Sequence, residues 1–338
     1  MKKLCLITVW MGELPDTYAM WLMSAKKNPT VDFFLISDRV ENKVEKNIHF
    51  VHEEIGELKA RFQTLFSFPI KLKSAYKICD YKPVYGSAFP EIVEGYDYWG
   101  HVDLDIIFGD LRHFLTDEFL EQYEKVFDAG YFILYRNTKE VNERYRVSEC
   151  DENMAYPYRK AFQTDYACFF DEYLGMSILG MNYFKTFRDQ LTETMIYDFD
   201  WKQLGFQSYI TFKYFVYSWK NGKLFVHDCD RYGVEIASEG KECLFVHIQK
   251  RKMKTMFPKE LIPGLEEFWI VPNCYRLDKP SEPLFSEKEA VEYAKAVKKR
   301  DKRTRCNNLW RNGLLQYIPH AVRSKRIRRW IINVKGFY

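Results

Sequence analysis

The sequence predicts an α/β fold, in which helices flank a mixed sheet and a basic helical tail follows. Apolar runs at residues 4–10 and 31–36 have the composition of buried strands, and a helix-like segment ends near residue 27 between them. Strand, helix and strand within about 35 residues is typical of the start of an α/β sheet. Hydrophobic residues make up 47% of the 338 residues, which is sufficient for a packed core.

Later segments continue this pattern. Further strands are predicted at residues 48–51, 131–135, 224–227, 244–248 and 268–271. Further helices are predicted at residues 55–66, 74–85, 117–127, 176–187 and 286–299, with an irregular flap at 144–160. Pro83 interrupts the second of these helices, so that either the helix ends near Asp80 or Pro83 lies in the first turn of a new one.

Two carboxylates spaced two residues apart, Asp103 and Asp105, stand at the end of one apolar run, which includes Tyr98-Trp99-Gly100, and before another, Ile106-Ile107-Phe108-Gly109. At a strand end, period-two alternation would place both on one face and direct Leu104 into the core. Carboxylate oxygens are the ligands that Mg²⁺ and Mn²⁺ prefer, so the pair is a candidate metal site. The alternative is that the acids merely mark a solvated loop.

An Asp-x-Asp motif at the end of a hydrophobic strand resembles the metal–nucleotide motif of GT-A glycosyltransferases. The stretch 76–83, together with residues 95–111, also resembles a bacterial family found in capsule and surface-polysaccharide loci, and the resemblance covers about residues 1–255. It implies a GT-A-like, Rossmann-type sheet that binds a nucleotide sugar, a UDP-hexose, together with Mn²⁺ or Mg²⁺. No Gly-x-Gly-x-x-Gly motif occurs, so a dinucleotide-binding fold is not indicated.

Ligands of an α/β sheet lie beyond the carboxyl ends of its strands, and this rule selects the first candidate donor-binding residues. Those at predicted strand ends are Thr8, Trp10, Asp38 and Asp103. Just upstream of the acids lie Tyr76, Asp80 and Lys82, in a region where related GT-A enzymes hold a basic residue near the nucleotide sugar. Lys82 would then supply a point charge for phosphate or a donor to a sugar hydroxyl, and the alternative is a solvated helix lysine.

Three further acids are candidates for a general base. If the reaction inverts the configuration at the anomeric carbon, the proton of the acceptor hydroxyl would be taken by Asp171, Glu172 or Asp165. Adjacent acids point to different sides of a helix or strand, so only one of Asp171 and Glu172 can face a given pocket. Ordinary acids of a first helical turn are the alternative.

A late histidine is the candidate third metal ligand. His247 ends a predicted strand and precedes the basic run 249–254, where Lys250, Lys252 or Lys254 could meet a diphosphate. The arrangement resembles that of the retaining galactosyltransferase and glycogenin group, which favours retention of configuration. His227 is the competing ligand.

Charge is distributed unevenly along the chain. Residues 301–338 hold ten basic residues and one acid, a net charge of +9, whereas the other residues carry −5. Basic residues interleaved with Trp and Ile favour an amphipathic helix on an anionic membrane surface. Nucleic acid is the rival partner, but no nucleic-acid motif occurs, and we expect no such binding. Docking of the tail onto the domain is a further alternative.

The eight cysteines form no Cys-x-x-Cys motif, and several lie in apolar runs as buried thiols do, which predicts a reducing cytoplasm. The N-terminal apolar run is too short for a signal peptide, and no stretch is long enough to span a bilayer. We therefore expect a cytoplasmic protein, peripheral on the inner face of the membrane. Residues 1–280 are predicted as the catalytic domain and 285–338 as the basic amphipathic segment.

The function predicted from these features is metal-dependent transfer of a hexose from a nucleotide sugar to a glycan or lipid-linked glycan in surface polysaccharide synthesis. A nucleotidyltransferase acting on sugar phosphates is one alternative, although residues 9–13 are not the usual Gly-rich basic loop. A non-catalytic scaffold on the membrane surface is the other.

Overall fold

The computed structural model describes residues 1–152, 154–189, 193–249 and 251–312, and side chains as far as residue 303. The chain divides into two compact units, unit 1 (Met1–Gln190) and unit 2 (Leu191–Tyr338). Lys250 and residues 313–338, which include most of the predicted basic tail, lie outside the described residues.

Unit 1 contains a mixed sheet. The strands of this unit are β1 (Leu4–Val9), β2 (Val31–Ser37), β3 (Lys43–Glu45), β4 (Ile48–His52), β5 (Tyr98–Val102), β6 (Ile106–Phe108), β7 (Lys125–Val126), β8 (Phe132–Arg136) and β9 (Thr186–Phe187). Among the described residues the sheet order is β3-β4-β2-β1-β5-β8-β7-β9. Strands β4, β2, β1 and β5 are parallel, whereas β3 and β8 run antiparallel to their neighbours. The predicted mixed α/β sheet is confirmed.

Helices of unit 1 are mostly short. They are α1 (Tyr18–Lys26), α2 (Ile55–Gln63), a 3₁₀ helix (Ala75–Val84), α3 (Tyr85–Ala88), α4 (Pro90–Val93), α5 (Leu111–Phe114), α6 (Asp117–Glu121), α7 (Lys139–Glu143), a second 3₁₀ helix (Arg144–Cys150), α8 (Tyr158–Phe162) and α9 (Met176–Asn182). The helices predicted at 117–127 and 176–187 are shorter than expected, because β7 and β9 follow them. The predicted helix around Pro83 is a 3₁₀ helix that continues past Asp80, and α3 begins directly after it.

The central strands are buried on both faces, as parallel strands covered by helices are. Leu4 to Ile7 of β1 are at most 1% exposed. On one face Trp21 of α1 packs edge-on against Phe33 of β2, with ring centroids 5.8 Å apart. Elsewhere in the core Phe62 of α2 stacks on Tyr81 of the 3₁₀ helix at 4.9 Å. This packing fixes the 3₁₀ helix against unit 1.

Unit 2 is built on a second, largely antiparallel sheet. Its elements are β10 (Tyr214–Lys220), β11 (Lys223–Cys229), β12 (Lys241–Cys243), β13 (Phe245–His247), β14 (Lys254–Thr255), a 3₁₀ helix (Lys259–Gly264), β15 (Glu267–Val271), β16 (Cys274–Arg276) and α10 (Glu287–Asn312). Among the described residues the sheet order is β12-β11-β10-β15-β16-β14. Asn221 and Gly222, both at positive φ, form the two-residue turn between β10 and β11.

Helix α10 extends the predicted helix 286–299 into the start of the basic tail. Val297 is buried, and the Tyr293 hydroxyl donates to Trp201 O at 2.9 Å, so the first part of α10 packs within unit 2. No helix among the described residues combines the length and apolar character needed to cross a bilayer. The described cysteines are free thiols.

Candidate functional site

The carboxyl ends of β1 and β5 are the natural place for a ligand in unit 1. From β1 the chain moves outward through β2 and β4, and then returns to place β5 on the opposite side of β1. Ligands of open α/β sheets bind at such a reversal of strand order. Thr8, near the end of β1, is buried, and its hydroxyl donates to Val102 O at 2.8 Å, which joins the two strand ends.

Two other residues predicted at strand ends, Asp38 and Trp10, form hydrogen bonds within the loop that follows β1. The Asp38 carboxylate, just after β2, accepts a hydrogen bond from Gly12 N at 2.8 Å. Gly12 has a φ of +93°, which a residue with a side chain rarely adopts. The Trp10 indole donates to Glu13 O at 2.9 Å. Asp38 and Trp10 thus shape the loop that follows β1.

Asp103 and Asp105 follow β5 in a turn and do not belong to a strand. The prediction that strand alternation places both carboxylates on one face is therefore wrong, although Leu104 is fully buried as predicted. The turn is fixed because Asp103 N donates to Tyr131 O at 2.9 Å and Leu104 O accepts from the Thr17 hydroxyl at 3.0 Å. Both acids are partly buried and stand at the carboxyl end of β5.

Lys82 lies between two of the predicted acids. Its ammonium is 2.7 Å from Asp103 Oδ1 and 3.2 Å from Asp171 Oδ2, and it donates to Gly130 O at 2.8 Å. Its side chain is only 12% exposed, so Lys82 is not a solvated helix lysine. Burial alone would lower the pKa of Lys82, but the two carboxylates outweigh it and hold that pKa well above its ordinary value.

Asp171 is the most deeply buried acid of this cluster. Its side chain is 2% exposed, and among the described residues Asp171 Oδ1 has no hydrogen-bond partner. Burial raises the pKa of Asp171 well above its ordinary value; Lys82 opposes the rise, while Glu172, Asp80 and Asp103 add to it. Gly130 is needed here, because a Cβ at that position would lie 2.7 Å from Asp171 Oδ2. Glu172, also a candidate base, is half-buried beside it.

Asp80 is fully buried and already engaged. Oδ2 pairs with the Lys77 ammonium at 2.6 Å and accepts from Cys168 N at 2.8 Å, while Oδ1 accepts from Phe170 N at 2.9 Å. These contacts favour a structural role for Asp80 over direct donor contact. Lys77, which the sequence interpretation did not single out, is completely buried as well.

The other predicted residues of unit 1 lie at the surface. Tyr76 is 64% exposed. Asp165 pairs with Lys73 at 2.9 Å, and both side chains are more than half exposed. Asp165 therefore has none of the burial that Asp171 has, and its pKa is lowered, first by the hydrogen bond from Lys73.

In unit 2, His247 ends β13 and is half-buried. The competing His227 is buried, with Nε2 2.8 Å from Ser218 Oγ and Nδ1 3.2 Å from Ala237 O, so both of its ring nitrogens have protein partners. In the basic run, Lys252 and Lys254 are exposed, but Arg251 is buried and donates to Leu204 O at 2.7 Å. Part of this run is therefore structural.

The donor set at the end of β5 suits a hard divalent cation. Asp103 and Asp105 offer carboxylates from one turn, and a cationic group, the Lys82 ammonium, already lies 2.7 Å from Asp103. A second cluster, formed by Cys79, Asp80 and Asp171, has ligand atoms within 4.8 Å of one another. It suits a cation less well, because both oxygens of Asp80 already accept hydrogen bonds.

Comparisons with known proteins give a family but no activity. The model of a family of unknown function, DUF6625, matches residues 6–279. No curated protein matches the chain in sequence.

Among solved structures, similarity is found to the apo form of the glycosyltransferase GlyE of Streptococcus pneumoniae TIGR4, at 11% identity and a TM-score of 0.32. The match covers 56% of this chain and 46% of that one, so it spans less than half of GlyE. The galactosyltransferase LgtC, solved with donor and acceptor sugar analogs, matches at 14% identity and a TM-score of 0.30, over 55% of this chain and 74% of that one. Both TM-scores are below 0.5, so these similarities do not establish a shared fold.

Proposed function

The chain belongs to the DUF6625 family, and from the site in unit 1 we propose that it is a metal-dependent glycosyltransferase of GT-A type that uses a nucleotide sugar. One observation carries the proposal: Lys82, Asp103 and Asp171 meet at the carboxyl ends of the parallel strands, beside the reversal of strand order between β1 and β5. Buried ionisable groups with displaced pKa values are common at functional sites.

Departure of a nucleoside diphosphate requires neutralisation of its developing negative charge. Asp103 and Asp105 would hold Mn²⁺ or Mg²⁺, which supplies that neutralisation when bound. Lys82 is close enough to Asp103 to add a second positive charge, or to donate to a sugar hydroxyl. His247 remains the proposed third ligand, on the evidence of its sequence context alone.

The environment of Asp171 bears on the stereochemical course. A general base must be ionised before it takes a proton from the acceptor hydroxyl. The Asp171 carboxylate is 2% exposed and already paired with the Lys82 ammonium, and Asp165 is a surface residue. This leaves Glu172 as the base if the sugar is inverted. Retention needs no such base, and we favour retention, with Asp171 holding Lys82 in place.

Donor and acceptor rest on the sequence interpretation. We assign a UDP-hexose as donor and a glycan or lipid-linked glycan as acceptor, in surface polysaccharide synthesis. The +9 charge of residues 301–338 supports a peripheral position on the inner, anionic face of the membrane. Exposed Lys252 and the residue Lys250 are retained as candidates for diphosphate contact.

Calorimetric titration of the full chain with UDP tests the proposal. We expect UDP to bind in the presence of Mn²⁺ and not in EDTA, and Asp103→Asn to lose this binding while its circular dichroism spectrum stays unchanged. The exposed Glu94 provides a control, because Glu94→Gln removes the same charge elsewhere on unit 1 and should bind as the unaltered chain does. Metal-independent binding, or equal binding by Asp103→Asn, would refute the assigned site.

A further inference from the structure

A buried ion pair joins the two segments that carry Lys82 and Asp171. Lys77 and Asp80 lie on the 3₁₀ helix that also bears Lys82. Besides pairing with Asp80, the Lys77 ammonium donates to Ala161 O at 2.7 Å and to Tyr166 O at 2.8 Å. Both side chains are completely buried, so this arrangement lies inside unit 1 and is not a surface salt bridge.

Asp80 extends the connection to the residues directly before Asp171. Its two carboxylate oxygens accept the backbone N–H groups of Cys168 and Phe170. Hydrogen bonds to an ionised acceptor are stronger than neutral ones, and a buried carboxylate without its partners would be strongly unfavourable. Phe169, between these two amides, has a φ of +56°, a conformation that residues other than glycine rarely adopt. The carboxylate therefore holds this backbone in a shape that the chain would not favour alone.

We infer that Lys77 and Asp80 are positioning residues, which set the place of Asp171 relative to Lys82 by tying residues 161–170 to the 3₁₀ helix. The functional part of this inference rests on the proposed transferase activity, whereas the positioning itself does not. Asp80 was predicted to contact the donor; its contacts give it this indirect role instead. Neither residue touches substrate in this account, and each acts through Asp171.

The variant Asp80→Asn tests the inference, because an amide keeps the size but has only one acceptor oxygen and places a donor near Lys77. Hydrogen exchange, read by mass spectrometry on the peptide 163–174, should become at least about tenfold faster, as loss of a hydrogen bond to a charged acceptor predicts. The matched control is Asp128→Asn. Asp128 is also a buried partner of a lysine three residues before it, Lys125, but its carboxylate is bound by Lys125 and Arg188 instead of by the 161–170 segment.

Where Asp80→Asn alone fails to fold, the double variant Lys77→Met with Asp80→Asn leaves no buried charge without a partner and answers the same question. Equal exchange of the peptide in the unaltered chain and in either Asp80 variant would overturn the inference. So would acceleration of the same size in Asp128→Asn, since that would be general loosening of unit 1.

A second readout separates positioning from ligand contact. With UDP-glucose and UDP-galactose as probes, Asp80→Asn should lower kcat at least about tenfold, while the affinity for UDP with Mn²⁺ stays within twofold, because Asp103 and Asp105 are unaltered. Equal loss of affinity and of kcat would mean that Asp80 contacts the ligand, and the inference would fall. If the unaltered chain binds no nucleotide, the proposed function fails, and the exchange measurement alone decides the positioning role.

Discussion

Replacing Lys82 by Met should destabilise the protein in a pH-dependent way. The change removes one ammonium from contact with two carboxylates and from Gly130 O, and leaves a methionine of similar length. Removing one partner of a buried ion pair costs about 3–5 kcal/mol. Asp103 is 32% exposed and recovers some hydration, so we expect a loss near the lower end, about 3 kcal/mol at pH 8.

The pH dependence follows from Asp171. A carboxyl whose pKa is higher in the folded than in the unfolded state destabilises the fold increasingly as the pH rises above the unfolded value. Burial already raises the pKa of Asp171 in the presence of Lys82, and loss of the ammonium removes the main opposing effect. Protonation relieves the cost of burying the Asp171 carboxylate without its ammonium partner, and it is more favourable at pH 5 than at pH 8. The loss of stability should therefore be smaller at pH 5 than at pH 8.

Urea unfolding at pH 5 and pH 8, followed by circular dichroism, measures both effects. Lys73→Met is the control, because Lys73 pairs with Asp165 at the surface, and such pairs contribute at most about 1 kcal/mol. If Lys82→Met lost no more stability than Lys73→Met, or lost as much at pH 5 as at pH 8, the proposed electrostatics of the site would be wrong.

Three other predictions concern the cation and the membrane. Asp105→Asn should abolish Mn²⁺-dependent UDP binding without loss of secondary structure; undiminished affinity would remove Asp105 from the ligands. His247→Ala should weaken Mn²⁺ binding, measured by electron paramagnetic resonance, more than His227→Ala does. His227→Ala should instead lower the melting temperature, because both ring nitrogens of His227 have hydrogen-bond partners. The reverse order of Mn²⁺ affinities would make His227 the ligand. Neutralising the five basic residues within 323–329 to Gln should abolish low-salt sedimentation with anionic liposomes, since each contributes about 1 kcal/mol; unchanged sedimentation would refute a membrane role for the tail.

The local pattern of the chain was sufficient to predict the parallel core. The runs that became β1, β2 and β5, and the helix between the first two, are apolar segments bounded by turn residues, which is the information that sequence periodicity carries. Very short strands such as β7 and β9 could not be predicted, because a segment of two residues shows no periodicity. The hairpin at Asn221–Gly222 could have been predicted from that dipeptide.

The candidate site could be predicted only in part. Asp103, Asp171 and Lys82 were each selected from their surroundings in the sequence, but their mutual contacts join segments far apart in the chain. Lys77 was overlooked, since a lysine in a helix is normally solvated and only the fold shows that it is buried. Gly130 was overlooked for the same reason, because the need for glycine there arises from Asp171, which is distant in sequence.

Identification of the reaction products tests the central claim most directly. The full chain is incubated with Mn²⁺, UDP-glucose or UDP-galactose and a lipid-linked or soluble glycan acceptor, and phosphorus NMR follows the nucleotide. We predict release of UDP at a rate that Asp103→Asn abolishes and Glu94→Gln does not change. Release of pyrophosphate would show a nucleotidyltransferase instead, and no turnover of any nucleotide sugar, together with no Mn²⁺-dependent UDP binding, would contradict the account.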